Sequence, residues 1–594
     1  MSTDFRPLEI PPGVVSKPTK QMRSSNWAEV NLMRWVEGQL APVGGQAQYP
    51  YAFASRCKKI HGWFDLTQVY HVAYLCEQHL YVDTGGTLVD ISPMPPLVAP
   101  GPVGAGGYGD GAYSAGTYGT PRPLDTISGL DKIPDAFSLD NFGSILYAMT
   151  SPDGRLLMWD PGLGSGVAGA TPATAAFVTT AATISIASGL LWVKPGLSVT
   201  DTTNGKYVGV VLSYAGTTLT LTANAANAGA LNDQLSFSNI ATVQPPASGR
   251  GPVPKGRGFV VTNERFIWIY GSGSDGTAGG GTPRRFNWCD QENPGAWDYS
   301  NVTSQAGFLD IEPASPIITA IATRNGVLFW TGKKAYVSQF LGLPYVYNYA
   351  ELSNNCTPWS CASVAVTSSL TLWMSKQGFF SYDGTSVNPV ACQVRPWIDD
   401  DIDPLEVREQ ACLVHVADFN EVWWFFPQKG QPSNTRCAIY SYKEGWWSQG
   451  QMARSAGITA SYNSHTIMAD GLYAYEHEAG NYYPQGAPLP WAETYDLNLT
   501  TGVRLITVKQ MQPDVGGDIA NLLYSLFYRM SRSVANGQPV VEQQTPPKPV
   551  RPNGFVDFRT TGRDIRLRIG LNGPAVLPVT VGQHLIDAVP RGDR

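Results

Sequence analysis

TLWMSKQGFFSYDG, residues 371–384, contains the unit that decides the fold: an apolar aromatic strand, a short polar turn, and a second strand that ends at Asp-Gly. Asp-Gly between runs of apolar and aromatic residues is a strong β-hairpin signal. The unit recurs along the chain in HLYVDTGGTLVDIS (79–92), ILYAMTSPDGRLLMWDPG (145–162), RFIWIYGSGSDG (265–276), GVLFWTGKKAYVSQF (326–340), VWWFFPQKG (422–430) and HTIMADGLYAYEHEAG (465–480). The pattern predicts a series of similar hairpins.

The hairpins recur every 40 to 65 residues, roughly, once a large insertion is set aside, which suits one four-stranded blade per repeat of a β-propeller. A single blade exposes both faces, and radial stacking buries them, with roughly 1.5–3 kcal/mol for each fully buried aromatic side chain. We therefore expect six tryptophans to pack between blades rather than to stack on a ligand: Trp159, Trp268, Trp330, Trp373, Trp423 and Trp424.

Two segments interrupt the repeat. Residues 94–127 are rich in Gly, Pro and Tyr, and such a composition cannot hold a regular ladder. Residues 167–243 become rich in Ala, Thr and Val, with short alternating runs that predict a small inserted β-domain. After about residue 480 longer strands begin, as in RDIRLRIGL, where Ile565, Leu567 and Ile569 alternate with two arginines.

The sequence thus predicts an all-β chain: a β-propeller with an inserted small β-domain and a C-terminal β-sandwich-like domain. Its expected parts are an N-terminal segment with the first propeller strands (1–93), a loop or arm (94–127), one blade (128–166), the inserted β-domain (167–243), the remaining blades (244–480) and the C-terminal β-domain (481–594). We expect Arg566 and Arg568 to form an outward basic row, either solvated or paired with an acidic neighbouring subunit.

Composition argues against tight nucleic-acid binding. The formal net charge is −6 and charged residues make up 15% of the chain, so there is no overall basic field to hold phosphates. The N-terminus has no basic region followed by an apolar stretch, and no run approaches 18 apolar residues. We expect neither a signal peptide nor a membrane-spanning segment.

The cysteines and histidines do not predict a metal site. No C-x-x-C is present, and the closest pair, Cys356 and Cys361, lacks zinc-ligand spacing. We expect buried, reduced thiols at all eight positions: 57, 76, 289, 356, 361, 392, 412 and 437. The seven histidines contain no H-x-x-x-H pair, and G-x-S-x-G is absent.

Three motifs suggest chemistry, and each has a structural explanation. Gly271-Ser-Gly-Ser-Asp-Gly276 matches G-x-G-x-x-G, but no helix pattern follows to present its N-terminus to a phosphate. Ser151-Pro-Asp153-Gly is similar to the Asp-box turn of sialidase-type propellers, a folding device rather than a catalytic one. The acidic run Asp399–Asp403 lacks the spacing of a calcium loop. We therefore propose no catalytic, cofactor-binding or metal-binding residue.

The segment SSNWAEVNLMRWVEGQLAPVGGQ (24–46) resembles the start of tail nozzle proteins of short-tailed bacteriophages, the family that includes tail tubular protein B. These often begin with N-x-x-R-W/F-x-x-G-x-x-x-P-x-G-G, matched here by Asn31, Arg34, Trp35, Gly38, Pro42, Gly44 and Gly45. The resemblance continues in order through 137–143, 158–160, 261–298, the blades from 325 to 450, and the closing strands from 555. Residues 94–127 and 167–243 depart from it.

The resemblance implies a non-enzymatic structural protein of the virion tail, synthesised in the bacterial host cytoplasm. It implies a homohexameric ring below the head-to-tail adaptor, with 481–594 as a docking platform, through which viral double-stranded DNA passes without specific binding. Tail fibres or tailspikes would attach to it, and no cofactor is implied. The Gly-Gly turn at 44–45 suits a first blade or a strand that closes the ring against the last one.

Two other functions remain open. One is an adhesin, a propeller that binds host-surface polysaccharide through exposed aromatic side chains. The other is a polysaccharide-degrading enzyme that uses propeller carboxylates such as Asp153 or Asp383; a glycosidase would need two carboxylates converging on one pocket.

Overall fold

The computed structural model describes most of the chain. The described residues are 5–16, 26–101, 133–169, 182–186, 188–202, 206–223, 234–271, 282–301, 303–312, 315–459, 465–480, 482–483, 486–497, 499, 504–517, 519–530, 541–573 and 579–591. Segment 94–127 lies outside them beyond residue 101, as does the glycine motif beyond Gly271. The described part is nearly all β, with two short α-helices, Arg395–Asp401 and Val407–Gln410.

The described chain divides into two compact units. One comprises Phe53–Ala362 and the turn Gly384–Val387. The other comprises Met1–Ala52, Ser363–Asp383 and Asn388–Arg594. The first of these units contains the first four propeller sheets and the insert. The second contains the last three propeller sheets and the terminal strands.

The first unit contains four antiparallel four-stranded sheets, which we call blades 1–4. Their first strands pack side by side in chain order, the arrangement of a propeller. Blade 1 is Cys57–Phe64, Tyr70–Cys76, Leu80–Thr84 and Thr87–Asp90; blade 2 is Phe137–Phe142, Ile145–Thr150, Leu157–Trp159 and Thr242–Val243; blade 3 is Gly258–Val261, Ile267–Tyr270, Arg285–Trp288 and Gly307–Asp310; blade 4 is Ile317–Thr323, Gly326–Thr331, Lys334–Phe340 and Tyr347–Asn354.

The second unit contains three further sheets of the same kind, blades 5–7. Blade 5 is Val364–Val366, Thr371–Ser375, Gly378–Tyr382 and Val387–Val390; blade 6 is Cys412–Val416, Glu421–Pro427, Asn434–Ser441 and Trp447–Gln451; blade 7 is Ala456–Ile458, Ile467–Ala469 and Tyr473–His477 with Gln46–Ala52. The fourth strand of blade 7 therefore comes from the N-terminal part of the chain, directly after the Gly-Gly turn.

Aromatic side chains join consecutive blades within each unit. Trp63 and Trp159 meet edge to face with ring centroids 6.3 Å apart, and Trp268 lies 5.6 Å from Phe329 of the next blade. All six tryptophans expected in the interior are buried, five of them completely. Burial of all six is confirmed, and contacts with the neighbouring blade are shown for Trp159 and Trp268.

The insert is a separate six-stranded sheet within blade 2. Its order is Gly166–Gly169, Gln234–Ser238, Ser198–Asp201, Lys206–Ala215, Thr218–Ala223 and Ala182–Ser185. A core of its own, built from side chains such as Leu197, Val199 and Phe237, lies against one face. Residues 242–243, which the sequence prediction included in the insert, pair with Leu157 and Met158 and complete blade 2.

The terminal domain combines strands from both ends of the chain. Sheet A contains Phe5–Leu8, His584–Arg591, Leu505–Gln512 and Val556–Gly562; sheet B contains Trp27–Asn31, Trp491–Thr494, Asp564–Leu571, Leu522–Arg529 and Gln543–Gln544, with Lys548–Pro549 beside Leu522–Arg529; sheet C contains Met33–Val36, Gln39–Pro42, Val579–Val581 and Val515–Gly517. The predicted β-propeller with inserted and C-terminal β-domains is confirmed, but the strands before residue 43 belong to the terminal domain and not to the first blade.

Excising the insert should leave blade 2 folded. Gly166 pairs with Phe237, so replacing residues 166–237 by a short glycine-serine linker joins ends that already lie side by side. Because the insert core is self-contained, we expect the melting temperature of the remaining chain to stay within roughly 4 °C of the parent value. Thermal unfolding followed by circular dichroism measures this.

A second deletion, from 166 through 243, provides the matched control. It removes the fourth strand of blade 2 and the buried Ala241, so we expect a distinctly lower melting temperature than for the shorter deletion. Global unfolding of the shorter deletion would contradict the independence of the insert.

Candidate functional site

The N-terminal motif forms the junction between the terminal domain and blades 6 and 7. Arg34 is 2% exposed; it donates a hydrogen bond to Glu478, and its Nε lies 3.5 Å from Oε1 of Glu421. Its guanidinium carbon lies 3.8 Å from the centre of the Phe419 ring. One buried cation thus holds two carboxylates, one within blade 6 and the other just after blade 7.

The charges of this cluster compensate one another. Burial raises the pKa of Glu421, although Arg34 opposes the shift, and Glu421 also accepts a 2.9 Å hydrogen bond from Nε1 of Trp423. Burial alone would lower the pKa of Arg34, but the two glutamates outweigh it and the pKa is raised. Removing one partner would leave a buried charge without compensation.

The glycines of the motif are required by close approach and by backbone conformation. A Cβ on Gly45 would lie 2.4 Å from the backbone nitrogen of Tyr482, and one on Gly44 would overlap Glu478. Instead, the Gly44 amide donates to Oε2 of Glu478 at 2.9 Å. Glu37 and Gly38 form the two-residue turn of the hairpin, with φ values of +51° and +83°. Two-residue hairpin turns of this type require a positive φ at both positions, which glycine adopts readily.

Asn31 joins the same junction. Its amide nitrogen donates to the carbonyl of Leu489 at 3.0 Å, and its Oδ1 accepts the amide of Gln451 at 2.7 Å. The amide of Leu32 also donates to the carbonyl of Gln449, so the outer strand of blade 6 is bridged to the N-terminal segment. Each polar residue of the motif therefore has a structural role in this region.

Blade 7 has its own buried polar layer. Arg454 donates to Nε2 of His477 at 2.9 Å and to Oε1 of Gln46, and it lies over the Tyr475 ring at 4.2 Å. Burial, followed by the charge of Arg454, lowers the pKa of His477 well below its ordinary value. The interaction connects the N-terminal strand of blade 7 to the C-terminal side of blade 6.

A cleft of about 610 Å³ opens in the terminal domain beside this junction. Trp27 and Trp35 lie in its floor, with ring centroids 6.2 Å apart, and both are buried. Its lining residues are Leu8, Glu9, Ile10, Pro11, Trp27, Trp35, Glu37, Gly38, Gln39, Leu40, Asp514, Val581, Gly582, Gln583 and His584, with three carboxylates and no lysine or arginine among them. We treat this cleft as a candidate binding site within the described residues.

His584 is neutral in the cleft wall. Its side chain is 3% exposed, and burial lowers its pKa to about 4. Nδ1 of His584 and Nε1 of the adjacent Trp27 are buried without a hydrogen-bond partner among the described residues. The sequence did not indicate this site, because its residues come from five separated segments.

The expected basic row of sheet B is instead paired inside the chain. Arg566 lies 2.5 Å from Glu493 and also contacts Glu542, and Arg568 lies 3.8 Å from Glu493. Pairing inside the chain was not expected from the sequence, whereas a contact with a neighbouring subunit stays a prediction. Alternation predicts which face a side chain occupies, but it does not show that an acidic strand lies alongside.

The structure gives the other acidic motifs structural roles, and most of the acidic run lies in the helix Arg395–Asp401 rather than in a turn. Asp153 is buried and pairs with Arg155, whose Nη2 lies 2.6 Å from Oδ2, as a hairpin-fixing turn requires. Asp383 accepts a hydrogen bond from Asn388 at 3.3 Å. In the acidic run, Asp401 pairs with Arg436 at 2.9 Å and Asp403 accepts backbone amides.

The remaining sequence expectations concern the cysteines, metal sites and membrane-spanning segments. Burial of the cysteines is confirmed at six positions, whereas Cys361 and Cys392 are half-buried. Among the described residues, no group of three or more His, Cys, Asp or Glu side chains could hold a metal ion. In the same residues no helix is long and apolar enough to cross a membrane.

The solved structures that resemble this chain include glycan-processing enzymes. No protein-family model matches the sequence, and no curated protein matches it. An exo-β-1,3-galactanase from Phanerochaete chrysosporium is 10% identical, with 66% of this chain and 99% of that chain covered and a TM-score of 0.19. An α-L-arabinanase from Penicillium chrysogenum is 8% identical, with 74% and 98% covered and a TM-score of 0.22.

An engineered GH43 glycoside hydrolase is 8% identical, with 92% of this chain and 99% of that chain covered and a TM-score of 0.20. The expectation that the chain is not an enzyme is contradicted by these matches, because all of them are glycoside hydrolases. At these identities and TM-scores, the likeness assigns neither a substrate nor a reaction to this chain.

Replacing Arg34 with methionine should destabilise the second unit by about 3–5 kcal/mol, because the buried Glu421 and the 10% exposed Glu478 would lose their cation. Urea unfolding followed by tryptophan fluorescence measures the change. The control is Arg265→Met, whose pair with Glu292 is 57% and 63% exposed, and we expect a loss below about 1 kcal/mol there. Equal losses in the two variants would contradict a dominant role for the buried cluster.

The terminal domain should lose stability as the pH falls from 6.5 towards 4. The unfolded His584 takes up a proton near pH 6.5 but the folded one only near pH 4, so the unfolded chain binds more protons in this window. Each such histidine lowers the free energy of unfolding by up to about 1.4 kcal/mol per pH unit. Urea unfolding at several pH values measures the slope, and an unchanged slope in His584→Gln would refute this origin.

Proposed function

We propose that this chain is a subunit of the tail nozzle of a short-tailed bacteriophage, a ring that repeats around the tail axis and conducts DNA during ejection. In this proposal the subunits form a homohexamer, bind the head-to-tail adaptor, and carry tail fibres or tailspikes in the virion tail. The proposal rests on the family resemblance of the sequence together with the role of the motif residues in the fold.

One observation carries the proposal. The residues through which the N-terminus resembles the nozzle family are those that the junction requires: a buried arginine, two glycines at close backbone approach, and an asparagine that bridges strands. A chance match in a solvated N-terminal segment would not need these residue types at this spacing. The motif therefore has a physical basis in the same architecture that the resemblance implies, a propeller with a terminal β-domain.

The charge of the chain is compatible with a conduit. Six copies at −6 each would carry a formal −36, so the assembly has no net positive field to retain phosphates. A channel making six to ten phosphate contacts would bind DNA strongly and with steep salt dependence. The arginines of sheet B, paired with Glu493 and Glu542, are likewise not available as a basic strip.

An exposed apolar loop in blade 4 is suited to a contact between protein subunits. Leu341, Leu343 and Tyr345 are 56%, 69% and 75% exposed and follow one another at the tip of a hairpin. A cluster of exposed apolar side chains marks an interaction surface more often than single scattered ones do. In the proposed ring this loop contacts a neighbouring subunit or another tail protein.

The mass and symmetry of the purified protein, with and without its tail adaptor, test the proposal. We expect native mass spectrometry and negative-stain class averages to show a six-fold ring with an axial channel, alone or on the adaptor. A stable monomer or trimer that ignores the adaptor would refute it. Glycan affinity of that monomer would then favour the polysaccharide-binding adhesin, and glycan turnover would favour a hydrolase.

A further inference from the structure

The cleft of the terminal domain has an apolar floor and an acidic rim. Its floor contains the buried side chains of Trp27, Trp35, Leu40 and Val581, whereas Glu9, Glu37 and Asp514 are exposed around it. A volume of about 610 Å³ lies within the range of ordinary binding pockets, roughly 300–1,000 Å³. The site is thus large enough to enclose several side chains of a ligand.

The three rim carboxylates have no cationic partner among the described residues. Elsewhere, carboxylates of the same domain are paired: Glu493 with Arg566, and Asp496 with Arg529. Three unpaired carboxylates around one opening repel one another and create a negative potential in the cleft. A ligand that brings positive charge removes this repulsion, and one that brings negative charge increases it.

The apolar floor favours a ligand whose cationic groups are carried on apolar stems. Long basic side chains place an apolar stem on an apolar surface and a cationic head beside carboxylates. Arginine and lysine also interact favourably with the faces of aromatic rings such as those of tryptophan.

The supporting scaffold is rigid where the ligand would bind. Trp27 belongs to a strand paired with Trp491–Thr494, and Trp35 belongs to the hairpin that carries the buried Arg34. Glu37 lies in the two-residue turn of the same hairpin, so its position is set by the backbone. The rim charges and the floor are therefore preorganised, which lowers the entropic cost of binding.

From these observations, we propose that the cleft is the docking site for an extended segment of a partner protein that carries Lys or Arg side chains next to a large apolar residue. Charge complementarity with Glu9, Glu37 and Asp514 provides the attraction, and the tryptophan floor receives the apolar side chain. The inference concerns a site within one subunit, so it does not depend on the proposed ring.

Selection from a library of random dodecapeptides displayed on phage, with the immobilised full-length chain as bait, tests the proposal. The comparison variant is Glu9→Gln, Glu37→Gln, Asp514→Asn, which changes three exposed side chains. The matched control, Glu292→Gln, Glu312→Gln, Glu444→Gln, changes the net charge equally at exposed positions outside the cleft. Near-ultraviolet circular dichroism checks that both variants keep the parental fold.

We expect the enriched peptides to carry net positive charge and at least one large apolar residue. Their dissociation constants, measured by fluorescence anisotropy, should increase about tenfold or more in the cleft variant, and by about twofold or less in the control variant. The affinity should also fall as salt is raised, because rim charges are screened.

Several results would overturn the proposal: no enriched peptide, enriched peptides without a basic bias, or equal affinity for the cleft variant and the parent. A change in the mass of the protein's own assembly caused by the cleft variant alone would instead assign the cleft to a second copy of the chain. If the ring test of the proposed function fails while basic peptides still bind the cleft, only the nozzle proposal is refuted.

Discussion

The buried cation of Arg34 is the interaction on which the second unit depends. Its partner Glu478 is 444 residues away along the chain, and Glu421 comes from a different sheet. A guanidinium taken out of water is tolerated only with compensating carboxylates and good geometry. The buried position of the N-terminal hairpin therefore requires both glutamates, one from blade 6 and one from the end of blade 7, beside Arg34.

The position of the N-terminal hairpin determines much of what surrounds it. The next residues, Gly44 and Gly45, pass so close to Glu478 and Tyr482 that no side chain fits, and the chain then supplies the last strand of blade 7. On the other side of the hairpin, Trp35 forms part of the cleft floor. The same local geometry thus connects blade 7, the terminal sheets and the candidate binding site.

The functional proposals rest on different parts of the molecule. The nozzle proposal depends on the motif residues at the junction and on the acidic net charge, whereas the docking proposal depends on the unpaired carboxylates of one cleft. Similarity to glycoside hydrolases contradicts the expectation of a non-enzymatic chain, but at TM-scores near 0.2 it identifies no reaction. In the structure, the carboxylate of Asp153 accepts a hydrogen bond from Arg155 within a hairpin turn.

The sequence by itself determined the repeating hairpins, the buried tryptophans and the change of character at the insert, because strand alternation, Asp-Gly turns and composition are local properties. Only the tertiary structure decided that the strands Phe5–Leu8 and Trp27–Asn31 join the terminal sheets, that Arg566 pairs with Glu493, and that Glu9, Glu37 and Asp514 line one cleft. Strand patterns indicate which face a residue occupies but not which strand lies beside it. Pairing between distant segments depends on the packing of the whole unit, and the candidate site consists of such pairings.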